Sequence, residues 1–274
     1  MKIDSHHHLW TLSRGDYGWM SPALGPIYRD FEPADLEPHL QAAGIDKTII
    51  VQAADTVAET EFMLATADAT DWIAGVVGWV DMESETAIQD LERLAASPLL
   101  KGIRPMIQEI ADPDWVLLPS LDRVFDALVD MGLRFDALVL PMHLPQLLSR
   151  LETHPDLACV INHGAKPKLS TGDLETWRQN ITRIAENTGS FCKLSGLVTE
   201  AGEGYTIDTI RPAADHILAT FKPERVMFGS DWPVLNLAGT YSDWVGMVED
   251  LTCPLSEAAR ASIFGDTAAS FYGI

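Results

Sequence analysis

The chain has 274 residues, 47% of them hydrophobic and 22% charged, a balance that supports a sizeable core and excludes a disordered chain. Nineteen basic residues against 40 acidic ones give a formal net charge of −21. That excludes the basic surface a nucleic-acid binder needs to displace phosphate counterions, and it disfavours anionic membranes. The opening MKIDSHHHLW lacks the apolar stretch of a secretory signal, and no run reaches the roughly 18 apolar residues of a membrane span. The three cysteines, Cys159, Cys192 and Cys253, are far apart and form no CxxC pair, which predicts free thiols. These features together predict a cytoplasmic protein. They leave its oligomeric state open, a homo-oligomer included.

No linker, low-complexity tract or residue-level repeat divides residues 1–274, so one domain is expected. Taken in chain order, a strand-like run Lys2–His8 is followed by a helix that Pro33 opens and Gly44 ends, the usual proline-first, glycine-last asymmetry. A run at Thr48–Ala53 and another at Ile73–Asp81 come next. Ser84 then caps a helix with Ala87, Ile88, Leu91, Leu94 and Ala95 on one face. Leu100–Arg104 precedes a helix from Ser120 to Gly132, whose Leu121, Val124, Phe125 and Leu128 recur at helical spacing. The runs Leu133–Leu140, Ala158–His163, Phe191–Ser195 and Arg225–Asp231 alternate with helices at Thr176–Asn187, Ile207–Phe221 and Ser242–Leu251, and a last helix covers Ser256–Phe264. Most runs are apolar on both faces, as strands of a covered parallel sheet are. Eight of them over about 250 residues predict an α/β fold, the (β/α)8 TIM barrel. A doubly wound sheet competes, but no G-x-G-x-x-G or P-loop fingerprint supports it.

In such a barrel the active site is built at the C-terminal ends of the strands. The polar residues expected there are His6 and His8, Arg104, His143, Asn162 and His163, Lys193 and Ser195, and Asp231. Alternation along a strand points His6 and His8 together into the mouth and His7 toward the helices. Two neutral imidazoles so placed can share one divalent ion. A third histidine, His163 or His143, and Asp231 would complete a site for an ion and its bound water, with zinc the first choice and manganese or cobalt next. Singly, a strand-end His or Asp is more often structural; the conjunction is what points to catalysis. Lys193 within a strand needs a buried partner. Lys166, in Lys-Pro-Lys, reads as structural or rim. Ser195 lies beside Gly196 but outside any G-x-S-x-G nucleophile elbow.

The segments IDSHHHLW, GWVDM, LKGIRPM, NHGAKP, CKLSGL and GSDWPV, in this order, resemble the amidohydrolase superfamily, specifically the amidohydrolase-2 branch with its fuconolactonase- and rhamnonolactonase-like sugar lactonases. The resemblance spans nearly the whole chain. It implies that His6, His8, His163 and Asp231 hold the catalytic positions, and that Arg104, His143 and Lys193 line the substrate pocket. Trp10 and Trp232 would be its apolar walls. One departure stands out: relatives commonly carry Asp before the strand-6 histidine, and here it is Asn162, which removes a negative partner for His163.

The activity implied is opening of a sugar-acid lactone in carbohydrate catabolism. Asp231 would take the proton of the attacking water and return it to the leaving alkoxide. The histidines would either hold a metal or, in a metal-independent site, donate hydrogen bonds to the oxyanion. Three other readings compete. A pyrone-dicarboxylate or muconolactone-type lactonase should show several arginines at the mouth, where only Arg104 is clear. A nonoxidative decarboxylase would need a firmly held metal. A non-catalytic binding barrel has no reason to keep the full His and Asp set.

Overall fold

A computed structural model describes residues 1–274. Strand β1 (Ile3–His7) pairs in parallel with β2 (Lys47–Val51), and the order continues through β3 (Ile73–Gly78), β4 (Leu100–Ile103), β5 (Arg134–Ala137), β6 (Cys159–Ile161), β7 (Phe191–Leu194) and β8 (Val226–Phe228). The helices α1 (Pro33–Ala43), α2 (Val57–Asp68), α3 (Ala87–Leu94), α4 (Asp122–Asp130), α5 (Leu144–Thr153), α6 (Glu175–Asn187), α7 (Ile207–Phe221) and α8 (Tyr241–Thr252) alternate with them. The result is the expected (β/α)8 barrel. The terminal segment differs from the single helix expected: α9 (Glu257–Ala261) passes through a π-helical turn, Ser262–Asp266, into α10 (Thr267–Tyr272).

Two hydrophobic layers hold the barrel. The larger lies between sheet and helices. The smaller fills the barrel itself: Ile3, Ile49, Val51, Val77, Val160 and Met227 point inward, and Ala268, Phe271 and Tyr272 of α10 plug the bottom. Cys159 and Cys192 are buried free thiols, while Cys253 is free and exposed. No helix is long and apolar enough to cross a membrane.

The strands are shorter than the apolar runs suggest, and every polar residue expected at a strand end except His6 and Lys193 lies beyond its strand, His143 by six residues. The seam between β8 and β1 is also irregular. There the backbone contributes one bridge, between His7 and Trp232, flanked by Asp231 N–H to His6 C=O at 2.8 Å and His8 N–H to Trp232 C=O at 2.7 Å. Side chains supply the rest. Asp4 accepts from Ser230 N–H at 2.8 Å and from the Tyr241 hydroxyl on α8 at 3.0 Å, and Ser5 Oγ donates to Phe228 C=O at 2.6 Å. The register with β2 slips between Asp4 and His7. Such a bulge re-aims side chains. It lets Asp4 turn out toward α8 while His6, two residues on, points into the barrel.

Candidate active site

Three of the expected residues converge on one carboxylate oxygen of a fourth. Asp231 Oδ1 lies 3.3 Å from His8 Nε2 and 3.7 Å from both His6 Nε2 and His163 Nε2. Each is held by backbone built for it. Asp231 has a left-handed φ of 60°, and His163, Gly164, Ala165 and Lys166 form a left-handed turn with φ between 50° and 62°. For the non-glycine members this costs about 1–2 kcal/mol apiece. The turn is offset by Lys166 N–H to His163 C=O at 2.9 Å and Trp177 Nε1 to Gly164 C=O at 2.7 Å. Strain of this kind gathers where a site over-determines the backbone.

All three imidazoles are buried, and burial drives their pKa down, that of His163 to about 3. They are neutral near pH 7. For Asp231, burial pushes the pKa up, but His163, protonated in the acid range where this carboxyl titrates, together with the contact with His8 and the charge of Lys166, outweighs it and brings it to about 2. An ionised carboxylate therefore faces three neutral rings.

The donor set fits a divalent ion. Nitrogens of His6 and His163 and an oxygen of Asp231 all lie within 4.8 Å of one another. Neutral imidazole and carboxylate are zinc-type ligands. His8, expected as a fourth ligand, is outside this group and touches only the carboxylate. Its Nδ1 donates to Val51 C=O at 2.7 Å, so the lone pair of Nε2 faces Asp231 Oδ1. Two electron-rich atoms so close call for a proton or a cation beside them.

Arg104 belongs to the cluster. Its Nη1 is 3.4 Å from His6 Nε2, while Nη2 donates to the backbone and side-chain carbonyls of Gln52. Burial lowers its pKa to about 10, which leaves it charged at neutral pH. Lys193 lies beneath rather than in the mouth. Its ammonium pairs with Asp136 at 2.6 Å and sits 3.4 Å from His6 Nδ1. Asp136 also accepts from Tyr272 at 3.0 Å and from Asn162 Nδ2 at 3.1 Å. Asn162 thus serves Asp136, and the partner of His163 Nδ1 is the Ser195 hydroxyl, 2.8 Å away. An aspartate at position 162 would set two buried carboxylates against each other.

Above this floor opens a cleft of about 270 Å³, lined by His8, Arg104, His163 and Asp231 together with Trp19, Leu24, Met106, Gln108, Glu109, Leu138, Lys166, Val234 and Leu237. A larger crevice of about 420 Å³ at the N-terminal ends of β6 and β7 brings together Glu152, His154 and Glu186 without converging donors. His143, Trp10 and Trp232 do not line the cleft. His143 Nδ1 accepts from Leu140 N–H at 3.1 Å, closing the turn before α5. Trp10 and Trp232 are buried against Phe31, with ring centres 5.4 and 5.1 Å from it. The apolar wall is Trp19 instead, its indole donating to Ala53 C=O at 2.7 Å. Buried Glu59 steadies this wall by accepting from Ala53 N–H and from the Tyr17 hydroxyl. Lys166, read as rim, faces the cleft and is 3.4 Å from Glu200.

A family model described as "Amidohydrolase" matches residues 3–274. The chain belongs to the amidohydrolase family. This amidohydrolase is 41% identical to an L-fucono-1,5-lactonase of Burkholderia ambifaria over 100% of its own length and 96% of that protein's. It is 35% identical to an L-fucono-1,5-lactonase of Burkholderia multivorans, with 100% and 96% covered. A crystal structure of a Burkholderia multivorans amidohydrolase with bound zinc superposes with a TM-score of 0.94 at 35% identity, covering 100% of this chain and 99% of that one.

Gly196 shows how tightly this amidohydrolase holds His163. At φ +60° an added Cβ would lie 2.4 Å from His163 Nδ1. The ring would have to move by about 1 Å, a displacement that can cost on the order of 100-fold in rate. Gly196→Ala is expected to lower kcat/KM by that amount with the barrel's circular dichroism preserved. A variant as active as wild type would show that the ring position is not constrained from this side.

Proposed function

We propose that this amidohydrolase opens a sugar-acid lactone, an aldonolactone of the fucono, rhamnono or galactono kind, in carbohydrate breakdown. The observation that carries this reading is the ionised Asp231 set against neutral His6, His8 and His163 beside the charged Arg104, on the floor of a cleft sized for a small ring. The full-length likeness to two fuconolactonases supports it.

Asp231 accepts a proton from the attacking water as its oxygen bonds to the ester carbonyl carbon. The oxyanion that forms is stabilised by Arg104, whose guanidinium is fixed in advance by Gln52. When the tetrahedral species collapses, the ring C–O bond breaks and Asp231 returns its proton to the departing oxygen. The product is a hydroxy acid, which ionises and releases one proton. His6, His163 and Asp231 would hold a divalent ion, zinc by preference, which supplies Lewis-acid polarisation of the carbonyl when bound. His8, anchored to Val51, keeps its unprotonated Nε2 beside the carboxylate, where it can share that proton or cation.

Glu109 on the cleft wall opposes a doubly anionic substrate, which weighs against a pyrone dicarboxylate. A proton-release assay over a panel of aldonolactones and pyrone lactones tests the reading. Aldonolactones should be turned over and pyrone dicarboxylates not. Activity should fall after chelation and return with zinc or manganese. Failure to hydrolyse any aldonolactone, with or without metal, would overturn the proposal.

A further inference from the structure

Lys166 stands on the wall of the cleft, and the hydrolytic steps proposed above give it no task. It ends the left-handed turn that follows β6, at φ 50°, where glycine or asparagine would be the less costly residue. Its ammonium has one protein partner, Glu200 Oε1 at 3.4 Å, and the two side chains are 23% and 25% exposed. An ion pair that open to water contributes less than the backbone conformation costs. Stability therefore gives no reason for a lysine here. The cation is felt instead at the floor of the cleft, where it acts on both His163 and Asp231.

The barrel order sets this ammonium against one particular side of a bound ring. Among eight strands in a circle, β4, followed by Arg104, stands across from β8, followed by Asp231; β6 stands across from β2, a quarter turn from each. The wall beyond β2 is apolar, with Trp19 fixed to Ala53 C=O. A lactone whose ester carbonyl lies between Arg104 and Asp231 thus turns one edge to Trp19 and the opposite edge to Lys166. Of the other donors nearby, the Trp19 indole is spent on Ala53 and Arg104 Nη2 on Gln52. The Lys166 ammonium carries three N–H donors and meets a single acceptor. A sugar lactone differs from a simple cyclic ester in carrying hydroxyl groups, whose oxygens accept such donors. Resting on the lactonase reading, we propose that Lys166 is a specificity-determining residue whose ammonium donates a hydrogen bond to a ring hydroxyl of the substrate. A ring without the hydroxyl forfeits that charge-assisted bond.

The test compares kcat/KM for the best aldonolactone with that for δ-valerolactone, an unsubstituted cyclic ester, in wild type, Lys166→Met and Lys166→Arg. Methionine removes the donors; arginine keeps both donors and charge. Loss of the cation beside Asp231 slows both substrates alike and cancels in the ratio of the two. The selectivity ratio, aldonolactone over δ-valerolactone, should fall about tenfold in Lys166→Met, mostly through KM. In Lys166→Arg it should stay within about threefold of wild type. Equal losses on both substrates in Lys166→Met, or no loss, would overturn the assignment of Lys166 while leaving lactone hydrolysis standing. A ratio that falls as far with arginine as with methionine would do the same. Wild-type protein inactive on every aldonolactone would instead overturn the lactonase reading and Lys166 with it. Both variants should melt within about 2–3 °C of wild type, since the pair with Glu200 is open to water, and the melts separate a folding defect from altered recognition.

Discussion

Replacing Asp231 by asparagine is expected to lower kcat by about three orders of magnitude, the upper half of what a positioned general base contributes. KM should change little, because asparagine keeps the shape and one carbonyl oxygen. Because the folded pKa of Asp231, about 2, lies below the free value of 3.8, whatever the carboxyl contributes to the fold is lost as pH falls through that interval. Asp231→Asn should keep the barrel's secondary structure unchanged by circular dichroism at pH 7. Turnover within tenfold of wild type would remove Asp231 from the chemistry.

Lys193→Met should produce the largest loss of stability. Lys193 and Asp136 are both fully buried, and the Asp136 carboxylate would be left facing only Tyr272 and Asn162. Removing one partner of a buried pair costs about 3–5 kcal/mol, mainly because the other charge is stranded. For a chain of this size that corresponds to a fall in Tm of roughly 10 °C. The double variant Lys193→Met, Asp136→Asn should recover much of the loss, since no bare charge remains. If the single variant melts within 2–3 °C of wild type, about 1 kcal/mol, the pair is not the support described. Activity reports on the same residues, because the ammonium also contacts His6 Nδ1 from below.

The barrel and the His6, His8, His163, Asp231 cluster were legible from sequence because strand-end chemistry follows the alternation of apolar runs. Helix α7 matches its expected span residue for residue. Helix α2 was missed because two of its four buried residues are Glu59 and Thr60, which breaks the apolar periodicity. Helix α5 was missed because it opens one residue before Pro145, close behind β5. The placements of Trp10, Trp232 and His143 could not be foreseen, since an aromatic or histidine at a strand end reads alike whether it faces a cleft or packs behind it. The roles of Asp4, Asp136 and Tyr272 were equally hidden. Asp4 depends on Tyr241, 237 residues on, and Asp136 on Lys193 and Tyr272, 57 and 136 residues on, partners that only the folded barrel supplies. Asp4 within IDSHH was the nearest to a signal, an acid in an otherwise apolar and histidine strand.

The joint between β8 and β1 places the Asp231 carboxylate on one lip and His6 and His8 on the other. An open-sheet intermediate can hold every helix and seven of the strand pairings while possessing no active site at all. Hydrolysis is thus a reporter of ring closure. Upon refolding, turnover should recover with the final step and lag behind the return of helical signal.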